Sequence, residues 1–196
     1  MTTRIVRVLL LCILLAGQLG CQRKSGSDQQ FPPLEFVMDA SLLAGPSIID
    51  SVFSICFPSD WHALPDSSFQ VLRQVIEQDT TAYFKLSLLS ARRAENGSLC
   101  AVSRILAEAA PFRRLDALYD GILKDGLDAT EVARGTFSIN GARIIQYRII
   151  NDEQIIFKLF SNVRETYYQI DFLMPKTAYE AEIRKVESSL GSLHPL

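Results

Sequence analysis

The sequence predicts an α+β protein, a three-layer α/β/α sandwich around a mainly antiparallel central sheet. Two observations lead to this fold class. Four strand-like runs joined by tight turns fill residues 131–173, and an amphipathic stretch follows at 176–190. Several runs are apolar at consecutive positions, as at Ile144–Ile145 and Ile155–Ile156. Because neighbouring strand residues point to opposite faces, both faces of this sheet need cover, which helices supply.

Five further elements are predicted ahead of these runs. They are a strand at 52–57 ended by Pro58, a helix capped by Asp66 or Ser67 and running to about Gln78, strands at about 82–91 and 99–107, and a second helix that opens at Pro111 and ends at "KDGLD". We expect Trp61, just past the first strand, to pack at the rim of the core, with an exposed partner anchor as the alternative.

The four consecutive strands are predicted at 131–139, 142–150, 155–161 and 166–173. Asn140-Gly141 favours a type I′ hairpin turn, which needs positive φ at both central residues. Pro175 ends the last strand. The stretch at 176–190 then forms one apolar stripe that needs a sheet to rest on, made of Tyr179, Ile183, Val186 and Leu190.

The N-terminus has the pattern of an export signal. Arg4 and Arg7 form a positive n-region, and residues 5–16 are nearly all apolar, a run shorter than the ~20 residues of a spanning helix. Gly20 precedes Cys21, so the stretch resembles a bacterial lipoprotein signal, although Gln18 stands where that pattern usually has leucine. Soluble export after cleavage and an uncleaved anchor are the alternatives.

The lipoprotein resemblance implies that Cys21 becomes the first residue and carries fatty acyl chains such as palmitate. It also implies a position facing the periplasm, and Gln22 favours the outer over the inner membrane. The predicted organisation is a signal peptide at 1–20, a polar, flexible tether at 21–35 and a single domain at 36–196.

The net charge bears on the possible partners of the chain, and the cysteines bear on a possible disulfide. Without residues 1–20 the chain has 18 basic and 22 acidic residues, a net charge of −4 with no basic stripe, which argues against nucleic acid as a partner. Cys56 and Cys100 remain in the predicted domain. In an oxidising periplasm they form a possible disulfide, and two buried free thiols are the alternative.

No catalytic, metal or cofactor motif stands out. The two histidines, His62 and His194, are isolated, and no metal-ligand spacing, nucleophile elbow or glycine-rich phosphate loop occurs. The sequence therefore predicts neither an enzyme nor a metal or cofactor site.

One polar pattern suggests a ligand site. If the hairpins have registers of the two-residue type, with the end of each predicted strand paired to the start of the next, Arg134, Tyr147, Lys158 and Gln169 fall side by side across four strands, and Asp171 lies one step along, beside Ile156. Such a row could floor a cleft for a polar or anionic ligand. An uncovered part of the sheet with solvated side chains is the alternative.

Several stretches resemble, in order and spacing, the PsbP-like family across residues 50–193. They are "FSICFPSDW", "GTFSINGARIIQYRI", "YYQIDFLMP" and "YEAEIRKVESSLGSL". The resemblance implies the α/β/α sandwich and the role of a non-catalytic accessory protein. It leads us to expect a protein partner in the cell envelope, with binding of a small polar ligand to the row as the alternative.

Overall fold

The computed structural model describes residues 38–79, 84–106, 123 and 126–196. Its main element is a seven-stranded, fully antiparallel sheet with strand order β3-β4-β5-β9-β8-β7-β6. The strands are β3 (His62–Ala63), β4 (Leu86–Arg93), β5 (Leu99–Ile105), β6 (Glu131–Ile139), β7 (Ala142–Ile150), β8 (Gln154–Val163) and β9 (Thr166–Pro175). The α+β class with a mainly antiparallel sheet is thereby confirmed.

A second, three-stranded antiparallel sheet has the order β1-β2-β10. It is formed by β1 (Leu43–Ile49), β2 (Phe53–Pro58) and β10 (His194–Pro195). Strands β1 and β10 were not predicted, because "LAGPSII" contains Gly and Pro and β10 is only two residues long.

Two α-helices lie within the described residues, α1 (Asp66–Gln78) and α2 (Tyr179–Gly191). Helix α1 begins directly after Pro65 with no side-chain cap, so the predicted capping by Asp66 or Ser67 was wrong. Asp66 is instead the first helical residue, where its negative charge interacts favourably with the helix dipole. A 3-10 turn at Lys176–Ala178 precedes α2. The predicted signal peptide, Cys21, the tether and most of the helix opening at Pro111 lie outside the described residues.

The two faces of the large sheet carry separate apolar clusters. The face covered by α2 and the small sheet, here called the α2 face, includes Ile144, Leu159 and Phe172. The opposite face includes Ile145 and Phe160, with Ile76 of α1 packed against that cluster. Adjacent residues such as Ile144 and Ile145 therefore go to different clusters, as the unbroken apolar runs predicted.

Helix α2 is fixed to the small sheet by serine hydroxyls. Ser189 Oγ donates to the carbonyl oxygen of Cys56 at 2.7 Å, and the amide of Cys56 donates to Ser192 Oγ at 2.8 Å. Val186 and Leu190 of the same helix are buried in the α2-face cluster. The helix thus contacts both sheets and holds one against the other.

The tip of the β1–β2 hairpin is anchored on the large sheet through Asp50. The Tyr168 hydroxyl donates to Asp50 Oδ2 at 3.0 Å, and Arg104 forms an ion pair with the same carboxylate. Burial, followed by the hydrogen bond to Asp50 and its charge, raises the pKa of Tyr168 to about 12. The Phe53 and Tyr168 rings also meet edge-to-face, with centroids 4.9 Å apart.

The turns set the register of the last four strands. Asn140 and Gly141 have φ values of 46° and 83°, so the predicted turn is confirmed. Arg164 and Glu165 also form a two-residue turn, with φ values of 49° and 63°. Neither residue favours the left-handed region, so the sequence pattern predicted a longer connection there.

The Glu165→Gly variant is expected to stabilise the protein by about 1 kcal/mol, because glycine adopts positive φ without the steric cost borne by glutamate. Urea unfolding measures the change. Gly141→Ala is the matched control and should destabilise by a similar amount, since a side chain is strained at its φ of +83°. Loss of stability in Glu165→Gly would contradict the assignment of this turn.

The free energy of unfolding should fall as the pH rises from about 10 to about 12, because Tyr168 loses its proton at a lower pH in the unfolded chain than in the folded one. The unfolded state then binds fewer protons, so the free energy of unfolding decreases, by at most about 1.4 kcal/mol per pH unit. Tyr168→Phe should remove this part of the slope in urea titrations at pH 9 to 12. An unchanged slope would show that another group causes it.

Candidate functional site

The predicted polar row lies on the face opposite α2. Arg134 pairs with Tyr147, and Tyr147 pairs with Lys158, in the register that the sequence predicted. Gln169 was misplaced: it pairs with Phe160, and Asp171 stands opposite Lys158. The cause is the two-residue turn at 164–165, which extends β8 to Val163 and shifts β9 by two residues relative to the expected register.

The shift brings together a compact polar cluster. Lys158 Nζ lies 2.7 Å from Asp171 Oδ1, and Gln169 Nε2 donates to Asp171 Oδ2 at 2.6 Å. The Lys158 and Asp171 side chains are only 16% and 14% exposed. Both carboxylate oxygens of Asp171 are therefore used within the sheet, and the charge of Lys158 is neutralised by a neighbour instead of facing solvent alone.

The other end of the row is more open. Tyr147 is fully buried, and the guanidinium of the exposed Arg134 lies 5.8 Å from the centre of its ring. No ion pair to Arg134 occurs in the described part of the chain. Arg134 is thus the cation of the row that is available to an anionic group, and a ligand role for the row stays a prediction.

A second polar cluster, which the sequence analysis did not detect, surrounds Glu182. This carboxylate is 2% exposed. It accepts hydrogen bonds from Trp61 Nε1 at 2.8 Å, from Asn96 Nδ2 at 2.8 Å and from Lys185 Nζ at 3.0 Å. Lys185 also binds Asp60 at 2.5 Å. Trp61 is 2% exposed, so it packs at the rim of the core as expected, and the partner-anchor alternative fails.

The surroundings of Lys185 favour its charged form. Burial alone would lower the pKa of Lys185, but its hydrogen bonds to Asp60 and Glu182 and their charges raise it above its ordinary value. The cluster connects the start of α2 to the β2–β3 and β4–β5 connections. The hydrogen bonds of Glu182 thereby hold secondary-structure elements in place. They do not position reacting groups.

A pocket of about 170 Å³ lies between α2 and the large sheet. Its wall is mostly apolar, with Glu187 and Gln146 as the polar groups; the remaining lining residues are Phe137, Phe157, Ile183, Val186 and Leu190. It is smaller than the ~300 Å³ at which most small-molecule sites begin. One aromatic ring fills a cavity of this size, since benzene occupies an apolar cavity of ~150 Å³.

The remaining candidate groups are separate. Cys56 and Cys100 are both free thiols, so the possible disulfide is not formed in this structure. Complete burial, with a smaller effect of Asp171, raises the pKa of Cys100 and keeps it a thiol. His62 and His194 are exposed and belong to different sheets. Over the described ranges, no group of three or more His, Cys, Asp or Glu could hold a metal ion.

The fold of the chain is shown by its likeness to a solved structure. The cyanobacterial PsbP protein (CyanoP) from Synechocystis sp. PCC 6803 matches 88% of this chain and 99% of its own, with a TM-score of 0.50 and 12% identity. LpqN, described as involved in cell envelope biogenesis of Mycobacterium tuberculosis, matches 77% of this chain and 84% of its own, with a TM-score of 0.40 and 7% identity, a likeness too weak to support an inference. No family model and no curated protein matches. The chain therefore has a PsbP-like fold.

Glu182→Ala should destabilise the protein by about 2–4 kcal/mol, because it leaves the Trp61 and Asn96 donors and the Lys185 charge without their acceptor. Urea unfolding followed by Trp61 fluorescence measures the loss. Glu187→Ala, on the exposed side of the same helix, is the matched control and should stay within about 0.5 kcal/mol of the native protein. Equal effects of the two variants would contradict the role given to Glu182.

Proposed function

We propose that the protein is a lipid-anchored, non-catalytic accessory protein that faces the periplasm and binds a protein partner in the cell envelope. The observation that carries this proposal is the N-terminal pattern: Arg4 and Arg7, an apolar run of lipoprotein length, and Gly20 before Cys21. Acyl chains on Cys21 contribute ~0.8 kcal/mol of membrane affinity for each buried CH2 group, so two or more chains give a stable anchor.

The fold supports the accessory role. The chain shares its architecture with a PsbP protein. Two buried polar clusters stabilise that architecture: Glu182 accepts hydrogen bonds from three donors, and Asp171 binds Lys158 and Gln169. No helix within the described residues is long and apolar enough to cross a membrane. In this proposal the acyl chains hold the domain at the outer membrane, and residues 21–35 give it reach.

The cross-strand row carries a second candidate function, binding of a small polar ligand. The register of Arg134, Tyr147 and Lys158 favours it, and Arg134 is the cation placed to receive an anionic group. The ion pair with Asp171 neutralises Lys158, so the row offers one positive charge fewer to an anionic ligand. Partner binding is therefore the preferred of the two functions. A ligand would raise the melting temperature of the native protein but not that of Arg134→Ala.

Cys21→Ser is expected to abolish metabolic labelling by palmitate and to release the protein from washed membranes, because its sulfur is the proposed attachment point. Cys56→Ser is the matched control and should keep both properties, since Cys56 is a free thiol of the folded domain. Labelling that survives in Cys21→Ser would refute the anchor.

Cross-linking in intact cells, followed by purification of the native protein, tests the partner. One envelope protein should be recovered at constant ratio from the native strain and lost from the Cys21→Ser strain. Recovery of no protein, together with a thermal shift by a polar metabolite, would favour the ligand-binding alternative.

A further inference from the structure

Two asparagine–glycine pairs occur in the sequence, Asn96–Gly97 and Asn140–Gly141. Such a pair is chemically labile, because the backbone nitrogen of glycine, which no side chain shields, can attack the carboxamide carbon of the preceding asparagine. Both asparagines are exposed, and each lies in the turn between two strands of the large sheet. Exposure and local sequence therefore do not distinguish the two sites, whereas their hydrogen bonds do.

Asn96 is held at every group that this reaction needs. The amide of Gly97, which supplies the attacking nitrogen, donates to the carbonyl oxygen of Ala94 at 3.1 Å. Asn96 Oδ1 accepts from the amide of Ser98 at 3.0 Å, and Asn96 Nδ2 donates to Glu182 Oε1 at 2.8 Å. These hydrogen bonds must break or stretch before the nitrogen of Gly97 reaches the carboxamide carbon, so the folded structure protects Asn96.

Asn140 is held less firmly. Within the described residues, the amide of Gly141 donates no hydrogen bond to the backbone. The space beside Gly141 is open, since no atom lies within 4 Å of the position that a Cβ would take. The carboxamide of Asn140 is held through Nδ2, which donates to the carbonyl oxygens of Leu193 at 2.7 Å and of Gly191 at 3.5 Å. The attacking nitrogen of this pair is therefore unrestrained, and the turn has room to rearrange.

We propose that Asn140 is a site of spontaneous deamidation in the folded protein, and that the product loosens the end of α2 from the β6–β7 turn. The nitrogen of Gly141 loses its proton and bonds to Cγ of Asn140, while the bond from Cγ to Nδ2 breaks and ammonia leaves with that proton. Water then adds to a carbonyl of the resulting succinimide ring and opens it to aspartate or isoaspartate. The exposed turn supplies the water, and the reaction needs no oxidant, metal or enzyme.

The product reverses the contact at the end of α2. Nδ2 of Asn140 is a hydrogen-bond donor, whereas a carboxylate only accepts, and its negative charge adds to the negative end of the helix dipole. The carbonyl oxygen of Leu193 then faces an anion instead of its donor. Leu193 directly precedes β10, which pairs with β2 in the small sheet. Deamidation therefore weakens the attachment of residues 192–196 and makes the chain more acidic.

Peptide mapping by mass spectrometry tests the site, with the full chain incubated in detergent micelles at mildly alkaline pH. Asn140 should be converted at least ~10-fold faster than Asn96, because Asn96 must break more hydrogen bonds before it reacts. Isoaspartate at position 140 identifies the succinimide route. In denaturing urea the two sites should react at similar rates, since both are followed by glycine. Equal rates in the native protein, faster conversion of Asn96, or an intact Asn140 would overturn the proposal.

Hydrogen exchange tests the structural effect. Asn140→Asp carries the same side chain as the aspartate product, and its amides at 192–194 and 196 should exchange ~10-fold faster than those of the native chain. Asn151→Asp is the matched control, because it adds the same charge in the β7–β8 connection. There Oδ1 of Asn151 already accepts from the amides of Glu153 and Gln154, so exchange at 192–196 should stay unchanged. Equal exchange in Asn140→Asp and the native chain would overturn the proposed loosening of α2.

Discussion

The structure depends most on one buried carboxylate. Glu182 is nearly inaccessible to water, and a negative charge at such a place is stable only when donors surround it. Two of its donors come from segments distant in sequence, Trp61 after β2 and Asn96 in the β4–β5 turn, and the third, Lys185, lies on α2 itself. Since few other placements of the helix satisfy all three, the cluster fixes where α2 begins and how it crosses the sheets.

The position of α2 in turn determines the features around it. Its serines bind the backbone of β2, its apolar stripe covers the α2 face of the large sheet, and Ser188 and Arg184 receive Asp39. The pocket exists because the stripe leaves a gap over Phe137 and Phe157. A displaced helix would therefore alter the small sheet, the pocket and the contacts of Asp39 together.

Local sequence signals sufficed for most strands of the large sheet but not for every register. Asn140-Gly141 belongs to the residue types that adopt positive φ easily, so the β6–β7 register followed from the sequence. Arg164 and Glu165 adopt the same conformation under tertiary constraint, which no local signal reveals, and the position of Gln169 was consequently wrong. The Glu182 cluster could not be predicted for a related reason. Its donors Asn96 and Trp61 lie 86 and 121 residues before Glu182 along the chain.

The proposed role depends on cleavage before Cys21 and acylation of its sulfur. Intact-mass spectrometry of the native protein purified from membranes tests both most directly. The account predicts a chain that begins at residue 21, with added mass that equals whole fatty acyl groups and fragments that place this mass on Cys21. A chain that begins at any other residue, or one that begins at Cys21 without acyl mass, would contradict it.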